Sequence, residues 1–338
     1  MNHIEAAEKY FRRSLKITTK HYGPDHQEVA RDMNYLAIVL DDLGKTKDAE
    51  KLYRQALKIY DSTKEPDQHN LSKCLNNLGR LLQHKGNFDD AEQFIRRSLA
   101  INKKVLGLKH LHTALSLKNL AELLSKINRH AEAEPLYRRA LEIIETSFGP
   151  DHPNVATTLN NLALLLSATN RHAKAEPLYR RALEIDEASF GPNHPKVATT
   201  LNNLARLFFQ KGDSQGAVPY YKRSLEVFEK AIGHSIDVTP QYLTTMAINH
   251  NQIALHGNVP AKNWKEAEYH YRHAIELFDK AKKPIEVVNT ELNLQTMSHL
   301  SGQEVDIEKV KELTNTLEEA GDNRAEKGHK LLKELSMT

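Results

Sequence analysis

Apolar positions along the chain fall at helical spacing, in segments that come in pairs. Val155, Leu159, Leu162, Ala163 and Leu166 stand at i, i+4, i+7, i+8 and i+11, one face of a helix. A second segment, roughly 172–188, places Ala175, Leu178, Tyr179, Ala182 and Leu183 on one face. Pro153 sits where a first helical turn tolerates proline, with Asp151 or His152 as the candidate cap. The pair then recurs: GPDHPNVATTLNNLALLL at 149–166 returns as GPNHPKVATTLNNLARLF at 191–208. Ala7, Ala49, Ala91, Ala133, Ala175 and Ala217 open the second segment of successive units at a constant step of 42. Ala267 follows after a step of 50, with extra residues around GHSIDVTP and HGNVPAKNW. Self-similarity of this regularity predicts a solenoid of helix pairs. Small residues at matched positions (Ala163 with Ala175, Gly79 with Ala91) let two helices approach closely.

These residues carry a resemblance. Gly or Ala on the first helix, Ala twelve residues later, a large apolar residue four beyond and then Ala or Ser are similar to the tetratricopeptide (TPR) repeat. In the fifth unit they are Ala163, Ala175, Tyr179 and Ala182. The 42-residue length and the phrases GPDHP, TLNNLA and AEPLYRRALEI resemble the long-helix variety of kinesin light chains and bacterial TPR proteins. The resemblance implies an all-α, right-handed superhelical solenoid of antiparallel helix pairs. Residues 1–281 are expected to form the array, a half repeat followed by six pairs. Residues 282–338 are expected to form a degenerate pair and a charged capping helix at about 322–336. The chain opens on a second helix, so a fragment of a longer protein with an upstream domain is the expectation.

In such a superhelix the first helices line the concave side. The stripe opposite the core face, Thr157, Asn161, Leu164 and Ala168, is therefore expected to face a groove. Equivalent positions are Arg31, Tyr35, Ile38 and Asp42, then Lys73, Asn77, Arg80 and His84, then Leu115, Asn119, Glu122 and Lys126. Further along they are Thr199, Asn203, Arg206 and Gln210, then Ile248, Gln252, Leu255 and Val259. Asn77, Asn119, Asn161 and Asn203 make a ladder at one position in four successive units. An Asn side chain carries both donors and an acceptor and can pair with a peptide backbone of any sequence. Helices roughly 10 Å apart match about three residues of extended chain at ~3.3 Å each. The candidate peptide-binding set is Arg31, Tyr35, Lys73, Asn77, Arg80, Asn119, Asn161, Asn203 and Arg206. Its basic members favour an acidic segment. The other reading of the ladder is structural: Asn recurs through duplication, and neighbouring Asn bond one another between helices.

Composition narrows the function classes. Gly and Pro are few, 14 and 12 in 338 residues, which suits helix. A formal charge of +3 with interspersed signs leaves no nucleic-acid footprint. No apolar run approaches the ~20 residues of a membrane span, and the single cysteine, Cys74, excludes an internal disulfide framework. The expected location is cytoplasmic. His26, His110, His152 and His194 recur a repeat apart, so they read as loop and cap residues rather than metal ligands. His270 and His273 share a helix face but lack an evident third ligand. Glu8, Glu92, Glu134 and Glu176 precede Arg12, Arg96, Arg138 and Arg180 by four residues, as surface ion pairs do. The Tyr at 53, 137, 179 and 221 falls on a core face. Pro135, Pro177 and Pro219 are expected to cost a hydrogen bond unless the second helix begins late. Around 232–263, including Trp264 at its edge, a plain loop insertion competes with a hinge or second docking point. No phosphate-cradling loop or nucleophile elbow occurs, and no cofactor or enzymatic activity is expected. A non-catalytic scaffold that binds an extended, partly acidic peptide follows from the resemblance. The alternative is a sensory or regulatory domain of a larger signalling protein, controlling an attached effector domain.

Overall fold

The computed structural model describes residues 2–233 and 240–337, all of it helix, turn or loop. Of the insertion around 232–263, residues 234–239 lie outside the described residues. The chain divides into two compact units, Met1–Leu165 and Leu166–Thr338. The first holds α1 (Asn2–Tyr22), α2 (Gln27–Asp42), α3 (Thr46–Ser62), α4 (Gln68–His84), α5 (Phe88–Val105), α6 (Leu111–Lys126), α7 (His130–Phe148) and most of α8 (Pro153–Ala168). The second holds α9 (His172–Phe190), α10 (Pro195–Gln210), α11 (Ser214–Gly233), α12 (Pro240–Gln252) and α13 (Trp264–Lys280). It ends with α14 (Pro284–Leu300), α15 (Ile307–Glu319) and α16 (Ala325–Leu335).

The repeat boundary is built by one local device. Gly149 and Gly191 end α7 and α9 at φ +89° and +83°, a conformation that glycine adopts without Cβ strain. The next helix is capped by histidine: the Nδ1 atoms of His110, His152 and His194 accept from the amides of His112, Asn154 and Lys196 at 3.1, 3.1 and 3.2 Å. His26 does the same for Glu28 at 3.3 Å. The recurring histidines are therefore caps, as their spacing indicates. Phe148 and Phe190 stack on His152 and His194 at 4.3 and 4.6 Å, so the aromatic four residues earlier fixes the ring that caps.

Inside the first unit, α4 packs on α5 through Leu75, Leu78 and Leu82 with Ala91 and Ile95, all at most 1% exposed. Tyr53, Tyr137, Tyr179 and Tyr221 are buried, as their core-face spacing predicts. Val155, Leu159, Leu162, Ala163 and Leu166 are buried too. On α9 the inward face differs from the sequence reading: Leu178 and Leu183 are half-buried, and Ile185 is buried instead. The prolines lie inside helices that start early, each at the sixth residue of α7, α9 and α11. Each therefore forgoes the hydrogen bond an amide at that position would make to the helix's second residue.

Ion pairs tie successive repeats. Glu8, Glu92, Glu134 and Glu176 pair with Arg12, Arg96, Arg138 and Arg180 at 2.7–2.8 Å. Such pairs contribute roughly 0.2–0.5 kcal/mol each to a helix. Glu8, Glu92 and Glu176 also receive Lys45, Arg129 and Lys211 from the following helix pair, at 2.7, 2.7 and 2.9 Å. The pairing is thus intra-helical and inter-repeat at once, which the i,i+4 pattern alone does not reveal.

In the second unit Val197, Leu201, Tyr221, Phe228, Met246 and Ile253 form one cluster. Leu292, Val310, Leu313, Leu317 and Leu331 form another beneath α16. The extra residues of the seventh repeat are partly absorbed by a π-helical segment, Ile253–Asn258. That segment breaks the 4-3-4 stripe assumed for Ile248, Gln252, Leu255 and Val259. Trp264 packs against the cluster of Ala254, Ala267, Tyr271 and Met297.

Three imidazoles meet on α12 and α13. His250 Nδ1 lies 2.8 Å from His270 Nδ1, and the His273 ring stacks on His250 at 5.4 Å. Tyr269 covers His273 at 4.0 Å. Burial, then the two neighbouring rings, pushes His250 down to about 3. Burial also lowers His270, with Glu266 opposing and Lys222 of α11 adding to the fall. Glu229 of α11 faces His273. Because the folded values lie below the ordinary 6.5, the unfolded chain takes up protons first as pH falls. The stability these rings supply is complete above the unfolded value and is lost as pH falls toward about 3. The melting midpoint is expected to drop more steeply from about pH 7.5 to about pH 5 in the native chain than in His250→Leu. Parallel slopes would contradict this assignment.

Candidate functional site

The site is built where α2, α4, α5 and α6 meet in the first unit. Tyr35 and Ile38 come from α2, Lys73, Asn76 and Asn77 from α4, Asn102 from α5, and His112 and Leu115 from α6. They line a cavity of about 260 Å³ together with Asn34, Ser72 and Ser116. Three members of the sequence-predicted set, Tyr35, Lys73 and Asn77, are therefore brought to one place. Tyr35 is held by stacking on Phe11 at 5.7 Å.

The Asn pairing joins helices as well as facing the cavity. Asn77 Nδ2 donates to Asn34 Oδ1 at 3.1 Å, across 43 residues of sequence. In the second unit Asn293 donates to Asn251 at 3.1 Å in the same manner. Asn77 thus makes an inter-helix Asn contact with one N–H of its amide, a bond that uses neither its second N–H nor its carbonyl. Asn119 is 6% exposed, whereas Asn77 and Asn161 are half-buried. Asn203 and Arg206 belong to the second unit, Asn203 half-buried and Arg206 exposed. Arg206 acts on the Tyr179 hydroxyl, which burial pushes up to about 12 and Arg206 pulls back.

The basic residues are not equivalent. Arg31 is engaged by its own helix, pairing with Glu28 and with Asp32, the latter at 3.2 Å. Asp32 is in turn held by Ser14 at 2.7 Å and Thr18 at 3.1 Å. Arg80 is exposed on α4, away from the lining of this cavity. Lys73 is half-buried at the cavity itself. Burial, and then nearby His69, Lys73 and His110, lower His112, keeping its ring neutral at physiological pH. His69 is lowered by burial and by Lys73, and its ring meets His112 edge-on at 4.7 Å.

A second cavity, about 220 Å³, shares His112 and Leu115 and continues to Lys118, Ile144, Phe148 and Thr158. Burial lowers Lys118, with Glu122 opposing. Lys118 occupies the position that Asn76 and Asn34 hold one and two repeats earlier. A lysine cannot accept a hydrogen bond, so the pairing seen at Asn34 cannot recur there.

Asn34, Asn76, Asn102 and His112 are the residues that the sequence reading missed. The signal for Asn76 was present in the recurring NN doublets, and Asn34 holds the same first position, followed by Tyr35. Asn102 carried no signal, because it reaches the site from the other helix of its pair. Cys74 is buried, its thiol 3.7 Å from the Tyr53 carbonyl and raised by burial. Among the described residues, no group of three or more His, Cys, Asp or Glu is placed to hold a metal ion, the His250 cluster included. No helix among them is long and apolar enough to cross a membrane.

Family models for the tetratricopeptide repeat match residues 4–62, 71–146, 126–188 and 171–230, and a second such model matches 36–104. No curated protein matches the chain. Among solved structures, BtubC (BKLC) from P. vanneervenii is similar at 24% identity and TM-score 0.58, covering 70% of this chain and 94% of that one. A Podosopora anserina protein of kinesin-light-chain type, with nearly identical TPR-like repeats, is similar at 22% identity and TM-score 0.53, covering 61% and 98%. Aspartyl phosphate phosphatase F from Bacillus subtilis is similar at 13% identity and TM-score 0.57, covering 86% and 76%. At these identities the likeness is one of fold.

Proposed function

The chain belongs to the tetratricopeptide repeat family, and from that premise we propose that it is a non-catalytic scaffold that captures an extended peptide segment of a partner protein. The observation that carries this reading is the cavity of Tyr35, Lys73, Asn77 and Leu115, drawn from three successive repeats. A surface that samples three repeats suits a ligand lying across them rather than a compact small molecule. Asn161 on α8 extends the candidate surface, and Asn203 with Arg206 offers a separate contact on the second unit. A partly acidic segment is favoured by Lys73 and Arg80. Arg31, already paired with Glu28 and Asp32, contributes less to that selection than its charge suggests. Exposed charge pairs add only about 0–1 kcal/mol each, so backbone and side-chain contacts in the cavity supply most of the affinity.

The test is a random-peptide display library panned against the full chain and against Asn77→Ala/Asn119→Ala/Asn161→Ala. Peptides enriched by the native chain and lost on the variant are expected, with acidic residues over-represented. Equal enrichment on both proteins would refute the groove.

A further inference from the structure

We propose that the 260 Å³ cavity in the first unit is an anchor pocket for a primary carboxamide, a glutamine side chain of the captured segment. This rests on the peptide-capture reading and narrows it. Two acceptors define the pocket. Asn102 donates through Nδ2 to the His112 carbonyl at 3.2 Å and to Ser116 Oγ at 3.0 Å. Those two bonds fix its amide orientation, and its Oδ1 is buried without a partner. Asn76 Oδ1 is likewise buried and unpartnered. Both residues are deeply buried, 3% and 5% exposed, and both line the same cavity. Buried carbonyl oxygens are rarely left unmade in folded proteins, so two at one cavity point to a donor from outside the chain.

Charge decides which donor. The half-buried Lys73 at the same cavity disfavours a cationic lysine or arginine. A carboxylate would suit Lys73 but has no hydrogen to give to two carbonyls. A hydroxyl has only one. A primary carboxamide has two N–H groups and one C=O, which are the complement of two acceptors and one ammonium. Ile38 and Leu115 supply apolar wall for the methylene stem. Asn76 and Asn102 line this one cavity together, so the selection they exert is for one residue of the ligand.

The experiment uses N-acetylated nonapeptide sublibraries closed by a C-terminal N-methylamide, with one position fixed as Gln, Glu, Lys or Leu and the rest randomised without Asn or Gln. Binding to the full chain is read by fluorescence anisotropy. At one position the Gln sublibrary is expected to bind at least about tenfold more tightly than the other three. That preference should disappear in Asn76→Leu and shrink in Lys73→Met, the second variant altering a half-buried lysine rather than a buried amide. Thermal melts of both variants confirm that they fold. Binding with no Gln preference, or a preference that survives both variants, overturns the carboxamide pocket and leaves peptide capture standing. No binding by any sublibrary overturns both.

Discussion

Gly79→Val is expected to lower the melting midpoint by several degrees, more than substitution at any surface glycine. A Cβ at position 79 would lie 2.5 Å from Ile95 Cγ1 and 3.1 Å from the Ala91 carbonyl oxygen. Ile95 is fully buried, so its side chain has no open side to retreat to, and the Ala91 oxygen moves only if α5 moves. Overpacking of this kind costs about 1–3 kcal/mol, and valine's two further methyls place it at the upper end. Replacing glycine in a helix returns only a few tenths of a kcal/mol for valine. A loss of about 3 kcal/mol corresponds to roughly 6–12 °C for a domain of 150–250 residues. The double variant Gly79→Val/Ile95→Ala tells this steric cause from a general one. Ile95→Ala alone leaves a cavity costing about 2–5 kcal/mol. Valine at 79 fills part of that space, so the pair should couple by about 1 kcal/mol or more. Strict additivity of the two losses would refute the contact.

How much of this was legible in the sequence depends on how far apart the partners are. The helix pairs follow from a constant 42-residue step, and Gly79 with Ala91 was recognised as a close approach because both are small. The His caps were readable because a cap acts on the amide two residues later. The cavity was only half readable. Tyr35, Lys73 and Asn77 lie on the periodic stripe, whereas Asn102 comes from the opposite helix and Asn34 meets Asn77 across 43 residues. The seventh repeat defeated the stripe because π-helical turns at Ile253–Asn258 shift which side chains share a face. Just before those turns, Asn251 rather than Gln252 meets Asn293. Arg31 enters the candidate set by its place on the stripe and by its charge, and its pairing with Glu28 depends on rotamers that neither pattern contains.

The second large effect concerns binding. In Asn77→Ala/Asn119→Ala/Asn161→Ala, affinity for a captured peptide is expected to fall by roughly 5- to 150-fold. Each hydrogen bond contributes about 0.5–1.5 kcal/mol net, and Asn119, being buried, is counted as contributing little, so the total is about 1–3 kcal/mol. Asn77→Ala also removes the bond to Asn34, so a thermal melt accompanies the titration to separate stability from contact. Helix content should stay the same, since the Asn side chains lie between helices rather than within their ladders.

The most direct test is therefore a calorimetric titration of one display-enriched peptide against the native chain and this triple variant, at matched helicity. The expected result is a clear dissociation constant for the native chain and one weaker by at least about fivefold for the variant. Equal constants for the two proteins would contradict capture at the Asn-lined surface and leave those residues a purely structural role.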